Sequence, residues 1–270
     1  MKRIYLEITN SCNLNCPFCS YEKGHDFMSL KQIDNYLDQI REYCNYIYLH
    51  ILGEPLLHPD FERILDLLDE KKMQLQLVTN GTLLERYPDI FKHDCLRKLS
   101  ISLLSVNDLD ISDNYYETIN KLIEADKKAV LELRFYDKDN LSTDLIAYLK
   151  KLKDSYGLKE TKRHNSYQIK ENVYVSFAEM FKWPDIDHEI ISETGTCHGG
   201  LDMLAINVNS DVTLCCLDPK AYNSLGNLKE VSLKQIIESE EYKKICADLQ
   251  NHKIDKDLCK RCSYRLRFLS

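Results

Sequence analysis

Five segments in the first half of this chain share a pattern that few folds accommodate. Ile4, Leu6 and Ile8 alternate with Tyr5 and Glu7, the period-two pattern of a strand. Tyr46 to Leu52, Met73 to Thr79, Leu99 to Leu103 and Ala129 to Phe135 read as strands as well. Helical spacings lie between them. Leu30, Ile33, Leu37 and Ile40 follow a Ser29/Gln32 capping box, and Phe61, Ile64, Leu65 and Leu68 follow Asp60 as a cap. Further helical stretches fall near Thr82 to Phe91 and Tyr115 to Lys127. Strands alternating with helices predict a parallel sheet and an α/β class. A parallel sheet buried on both faces is apolar on both. Here one face is polar on nearly every strand: Glu7; Tyr48 and His50; Gln74 and Gln76; Ser100 and Ser102; Glu132 and Arg134. An incomplete barrel meets this condition, with a polar lumen that hosts ligands and helices outside. The alternative, a sheet wet on one side, requires five strands to be exposed alike.

Composition narrows the setting. The 270 residues suffice for one large domain or a domain with a small appendage, and 44% apolar content supports a sizeable core. No run of about 18 apolar residues occurs, so no membrane span is expected. The opening MKRIYLEITN alternates like a strand and lacks the apolar centre of a secretion signal. A net charge of −7 argues against nucleic acid as a partner, since neutralising phosphates needs a cationic surface. Eleven cysteines without a secretion signal point to a reducing cytoplasm and to metal rather than disulfides.

Three of those cysteines stand together: Cys12, Cys16 and Cys19 in SCNLNCPFCS, spaced C-x3-C-x2-C in the loop after the first strand. Four cysteines close a cubane iron–sulfur cluster. Three leave one iron open, and an open metal position is where chemistry takes place. Three thiolates completed by a distant histidine would make a zinc site instead. The loop resembles the signature of the radical S-adenosylmethionine (SAM) superfamily. That resemblance implies a 4Fe-4S cluster whose open iron is chelated by the amino and carboxylate groups of SAM. One-electron cleavage then yields a 5'-deoxyadenosyl radical, which takes hydrogen from a substrate. With Asn172 to Phe177 as a sixth strand, the expected core is an incomplete (β/α)6 TIM-like barrel. Its ligands belong at the carboxyl ends of the strands.

The resemblance also implies SAM contacts. Phe18 would pack against the adenine. The second strand ends in Leu52-Gly53-Glu54-Pro55, where the family commonly carries GGEP, with Leu52 in place of the first glycine. Gly53 lets backbone approach closely, the edge of this motif binds the SAM ammonium, and Glu54 adds an acceptor for it. Asn80, in Thr79-Asn80-Gly81, sits at the ligand end of the third strand or merely makes a turn. Ser102 resembles the serine that relatives place near the SAM ribose or carboxylate. Arg134 is the expected partner of the SAM carboxylate, since guanidinium binds carboxylate through a planar fork. Glu7 and Glu132 are its alternative partners.

The carboxyl end carries a second set: Cys197, then a hairpin from Met203 to Val208 and Val212 to Cys215 across Asn209-Ser210-Asp211, then Cys259 and Cys262. A helix bearing Leu233, Ile236 and Ile237 lies between. This arrangement resembles the twitch domain, the shorter form of the SPASM extension of radical SAM enzymes. Cys197, Cys215, Cys259 and Cys262 are then the four ligands of a second 4Fe-4S cluster. Cys216 is an alternative to Cys215, because neighbours on a strand point to opposite faces. Zinc is the other occupant this spacing allows. With the chain ending soon after Cys262, one auxiliary cluster is expected. Lys256, Lys260, Arg261, Arg265 and Arg267 surround the last pair and either offset cluster charge or form a solvated face. The expected division is residues 1–194 for the SAM core, with 137–194 the least legible part, and 195–270 for the auxiliary module.

Four protein ligands leave no open iron, so the second cluster carries electrons. The arrangement is similar to that of the 2-deoxy-scyllo-inosamine dehydrogenases. It implies a net oxidation: hydrogen to the adenosyl radical, a proton to a lumen base and an electron to the auxiliary cluster. His50 is the candidate base, its ordinary pKa suiting proton transfer near neutrality. The molybdenum-cofactor cyclases, also similar, have three auxiliary cysteines instead of four. Two other functions are open. One is maturation of a ribosomal peptide by thioether formation, epimerisation or cross-linking, with the peptide held by residues 137–194 or another protein, since Cys12 leaves no room before it for a recognition domain. The other is a non-catalytic zinc protein. Expected partners are a small-molecule or peptide substrate and an electron donor such as flavodoxin or ferredoxin.

Overall fold

The alternation of strands and helices resolves into one continuous sheet in a computed structural model that describes residues 1–19, 24–106, 113–136 and 141–268. Among the described residues the strands are β1 (Arg3–Leu6), β2 (Tyr46–Tyr48), β3 (Gln74–Thr79), β4 (Leu96–Ser102), β5 (Val130–Tyr136), β6 (Lys159–Glu160), β7 (Ser166–Lys170), β8 (Val173–Ala178), β9 (Met203–Ile206), β10 (Asp211–Thr213) and β11 (Gly226–Asn227). The helices are α1 (Leu30–Ile40), α2 (Phe61–Glu70), α3 (Asp113–Glu124), α4 (Thr143–Tyr156), α5 (Leu233–Glu238), α6 (Glu240–Gln250) and α7 (Asp257–Lys260). The spatial order is β11-β10-β9-β1-β2-β3-β4-β5-β8-β7-β6. Every pairing from β9 to β8 is parallel, and antiparallel strands finish both edges. The order is open-ended, as an incomplete TIM-like barrel requires.

Register sorts the side chains. Tyr5 pairs with Tyr48 and Tyr48 with Gln76, while Ser100 pairs with Glu132 and Ser102 with Arg134, which gathers the polar positions on the inner face. The alternate residues Ile4, Leu6, Ile47, Leu75, Leu77, Leu99, Ile101, Leu131 and Leu133 are fully buried on the outer face. They share one core with Ile33, Leu37 and Ile40 of α1 and Ile64, Leu65 and Leu68 of α2. Each such side chain contributes about 1.5–3 kcal/mol by leaving water. The inner face is thereby free to be polar.

Four details differ from the sequence reading. The second strand stops at Tyr48, and Leu49 to Leu52 already belong to the turn above the barrel. No α-helix spans 82–91; two 3-10 turns, Leu84–Arg86 and Ile90–Lys92, stand there, because Pro88 has no amide hydrogen to continue a helix. Asp60 occupies the cap position of α2 without a side-chain cap bond, whereas the Ser29/Gln32 capping box is present. The auxiliary hairpin also joins the barrel sheet, a contact the sequence did not reveal: β9 pairs in parallel with β1 and extends it. Of the stretch read as least legible, residues 137–140 lie outside those described; the rest supplies α4, the β6–β7 hairpin and β8. No described helix is long and apolar enough to cross a membrane.

Candidate active site

The loop after β1 is clamped by its neighbours. Ser11 accepts a hydrogen bond from the Glu54 amide at 2.8 Å, Asn13 accepts from the Asn80 side chain at 3.0 Å, and the Cys16 thiol lies 3.6 Å from the Ser105 carbonyl. Three strand ends thus grip one short segment. Gly53 makes the tightest contact. Its φ is +71°, and a Cβ built on it would stand 2.4 Å from the Thr9 carbonyl oxygen, so only glycine fits this approach. Glu54 is buried and accepts from Leu56 N (3.1 Å), Thr79 Oγ1 (2.7 Å) and Asn80 N (2.7 Å). Burial pushes its carboxyl up to about 7, against the pull of those bonds. Asn80 is equally engaged: its Oδ1 accepts from Thr82 N and Oγ1, and its carbonyl accepts from Tyr115. Glu54 and Asn80 therefore tie the β2 and β3 ends to the cysteine loop.

Two neighbouring cavities result. The smaller, about 160 Å³, is lined by Cys12, Cys16 and Cys19 with Phe18, Gly53, Glu54, Asn80 and Ser102. The larger, about 500 Å³, is lined by Cys197, Cys215, Cys216, Cys259 and Cys262, with Arg134 and aromatic side chains including Trp183. Phe18, His50, Ile51, Val78 and Trp183 belong to the walls of both. The structure thus gathers every site residue named from the sequence around these two adjoining cavities, with one redistribution: Arg134 faces the larger cavity and is absent from the lining of the smaller. Among the described residues no carboxylate lies within ion-pair distance of Arg134; Glu132 pairs with Lys98 (2.7 Å) and Arg163 (3.3 Å) instead. The Arg134 guanidinium stacks 5.0 Å from the Tyr136 ring.

His50 stands where the cavities meet. Tyr5 and Tyr48 flank its ring edge-on at 5.6 and 5.7 Å, and its Nδ1 is buried with no hydrogen-bond partner. Burial, aided by the charge of Arg134, pushes its pKa down to about 3, so the imidazole is neutral at ordinary pH. The distinction between Cys215 and Cys216 changes too. Strand β10 ends at Thr213, both cysteines lie in the turn beyond it, and both line the large cavity. Alternation along a strand therefore does not separate them. Their neighbours do: the Cys215 thiol is raised by burial and then by Cys216, Cys259 and Cys197, whereas Cys216 is hydrogen-bonded with Tyr5.

The donor sets suit iron–sulfur clusters. Among the described residues no three His, Cys, Asp or Glu groups converge on the position of a single metal ion. The thiols ring a cavity, and a cubane takes its ligands at separate corners. Burial raises the thiols of Cys197, Cys215, Cys259 and Cys262 alike, and repulsion from neighbouring thiols adds to it at Cys215, Cys259 and Cys262. Four thiolates side by side need a cationic core, which a cluster supplies. Sequence reasoning missed the clamps, Asn13 and Ser105, because they act only through residues distant in the chain. It also missed what Glu7 does: its oxygens accept from Leu52 N at 2.9 Å and Val208 N at 3.0 Å.

Comparison with known proteins agrees with this geometry. The family model described as the radical SAM superfamily matches residues 6–156, and that of an iron–sulfur cluster-binding domain, SPASM, matches residues 197–263. The latter puts iron and sulfur where spacing alone left zinc open. A probable GTP 3',8-cyclase of Methanocaldococcus jannaschii is 28% identical over 137 residues, 48% of this chain and 46% of its own length. The chain thus spans less than half of that relative. BtrN in complex with AdoMet and 2-DOIA superposes with a TM-score of 0.58 at 16% identity, covering 97% of this chain and 92% of that one. Streptococcus suis SuiB bound to precursor peptide SuiA gives 0.63 at 14% identity, covering 96% and 70%. At such identities these likenesses speak for the fold.

Proposed function

This chain belongs to the radical SAM superfamily, with SAM and 4Fe-4S clusters as its cofactors, and from that premise we propose that it oxidises a substrate held between two cluster sites. Cys12, Cys16 and Cys19 hold the first cluster, and Cys197, Cys215, Cys259 and Cys262 the second. SAM on the first cluster supplies a one-electron cleavage that generates a hydrogen-atom abstractor. The chain's own residues do the rest. Gly53 would bring backbone to the SAM ammonium, with Glu54 and Asn80 fixing that turn, and Phe18 and Ser102 would border the nucleoside. Arg134, on the wall of the larger cavity with His50, would be the cation available to the SAM carboxylate.

The reaction removes a hydrogen atom, a proton and an electron from the substrate, turning an alcohol carbon into a carbonyl. The hydrogen leaves with 5'-deoxyadenosine and the electron is received at the four-thiol site. The proton goes to a base on the lumen wall, for which His50, a neutral imidazole shared by both cavities, is the candidate despite the lowered pKa its burial imposes. One electron per turnover enters from a donor such as flavodoxin or ferredoxin. The observation that carries this reading is the 500 Å³ cavity that meets the three-thiol pocket at His50 and ends among the four thiols.

A second reading, peptide maturation, draws on a different observation. Met180, Ile186, Ile190 and Ile191 are exposed along the segment whose Phe181 and Trp183 line the cavity. Exposed apolar side chains on that segment suit an extended peptide. The test is common to both. Reconstituted protein with dithionite and SAM should contain about eight irons and form 5'-deoxyadenosine. Cys16→Ala should form none, and product from it would refute the cluster assignment. Cys259→Ala/Cys262→Ala should still cleave SAM yet fail to turn substrate over; normal turnover would refute the electron-acceptor role.

A further inference from the structure

Of the five basic residues around the final cysteine pair, four meet carboxylates: Lys256 with Glu241, Lys260 with Glu193, Arg261 with Asp257 and Arg267 with Glu179. Arg265 turns inward and is 1% exposed. Its guanidinium donates to the carbonyls of Cys259 (3.0 Å), Thr194 (2.8 Å) and Ser192 (2.6 Å). Carbonyl oxygens take three of its five N–H groups but leave its charge unneutralised. Among the described residues no carboxylate lies within ion-pair distance of it. Asp218, a buried carboxylate on the same cavity, is held by the amides of Tyr222 and Asn223 instead.

A buried charge without a counter-charge costs several kcal/mol, and arginine cannot escape by losing its proton. Something anionic must offset it. Arg265 shares its cavity wall with Cys197, Cys215, Cys259 and Cys262. We propose that Arg265 is the buried counter-cation of the four-thiol cluster and sets that cluster's reduction potential. Reduction adds one negative charge to the cluster, and a fixed positive charge in a low-dielectric wall favours the reduced form. An auxiliary site tuned upward is a better acceptor, so the inference rests on the electron-acceptor reading for its purpose.

The test needs neither substrate nor turnover. A full-length chain carrying Cys12→Ala, Cys16→Ala and Cys19→Ala holds only the auxiliary cluster, and an EPR-monitored redox titration reads its midpoint. Arg265→Gln removes the charge, while Arg265→Lys keeps it and loses the fork. The expected result is a more negative midpoint for Gln and an unchanged one for Lys. If Gln loses iron while Lys retains it at the original midpoint, the charge is again what matters. Should the two variants behave alike, whether both shift, both stay or both lose iron, Arg265 is a structural tie and the proposal is overturned. Because no substrate is present, that failure is distinct from a failure of the electron-acceptor reading, which normal turnover by Cys259→Ala/Cys262→Ala would bring about.

Discussion

The two thiol sets are built in opposite ways. Cys12, Cys16 and Cys19 lie in one loop, and what fixes them comes from elsewhere: the β2 end on Ser11, the β3 end on Asn13 and the turn after β4 on Cys16. Cys197, Cys215, Cys259 and Cys262 are scattered along the sequence and are brought together by their own module, through a hairpin end, a short helix and an inward-turned arginine. The first site has one ionisable side chain besides its thiols and His50 on its wall, Glu54; the second has arginines and a buried aspartate. A site that a diffusing ligand must reach is an open loop gripped from outside. The four-thiol site draws its ligands from its own segment, while Tyr5, His50 and Arg134 of the barrel complete its wall.

Gly53→Ala should break the outside grip most severely. The new methyl would meet backbone, which yields little, at a φ that costs an L-residue about 1–2 kcal/mol before any clash. SAM affinity should fall by about tenfold or more, while the auxiliary cluster keeps its iron. Binding measured by equilibrium dialysis, beside iron counts, checks this. Equal loss at both sites would mean that the loop and the module stand or fall together.

Asn80→Ala should act on the same contrast more mildly. It removes the bonds to Asn13 Oδ1 and the Thr82 amide, each worth about 1 kcal/mol, without touching the four-thiol module. Challenged with a chelator, the loop cluster should bleach several-fold faster than in the wild type and the auxiliary cluster at an unchanged rate. Bleaching of both at the same altered rate would remove the distinction between external and internal support.

The same contrast explains what could be read in advance. The C-x3-C-x2-C loop, the polar inner face and the capping box are local patterns, and each appears in the fold. Contacts between segments were not legible. Nothing in Gly53-Glu54-Pro55 reveals that Glu54 spends its lone pairs on Thr79 and Asn80, or that Gly53 faces the Thr9 carbonyl. The Cys215/Cys216 distinction failed because it assumed a strand where the chain already turns. Arg265 stood in a basic cluster like any other arginine, and only its burial separates it from Lys260 and Arg267.

Glu7 belongs to neither region and joins both. One of its oxygens holds the amide before Gly53, the other the amide that follows β9. Burial holds its carboxyl up to about 7, above the ordinary 4.5. The folded chain therefore binds this proton more tightly than the unfolded chain does. Stability from that proton is fully present at acidic pH and is lost as pH rises through about 7. Glu7→Gln has no proton to lose, but it turns an NH₂ toward one of the two amides, at a cost of about 1–3 kcal/mol. Denaturant midpoints at about pH 5 and about pH 8 should show the wild type ahead at the lower pH, with the gap narrowing at the higher. A gap that stays constant would mean Glu7 is ionised throughout, its two accepted bonds outweighing its burial. The bridge between the loop and the module would then be insensitive to pH in this range.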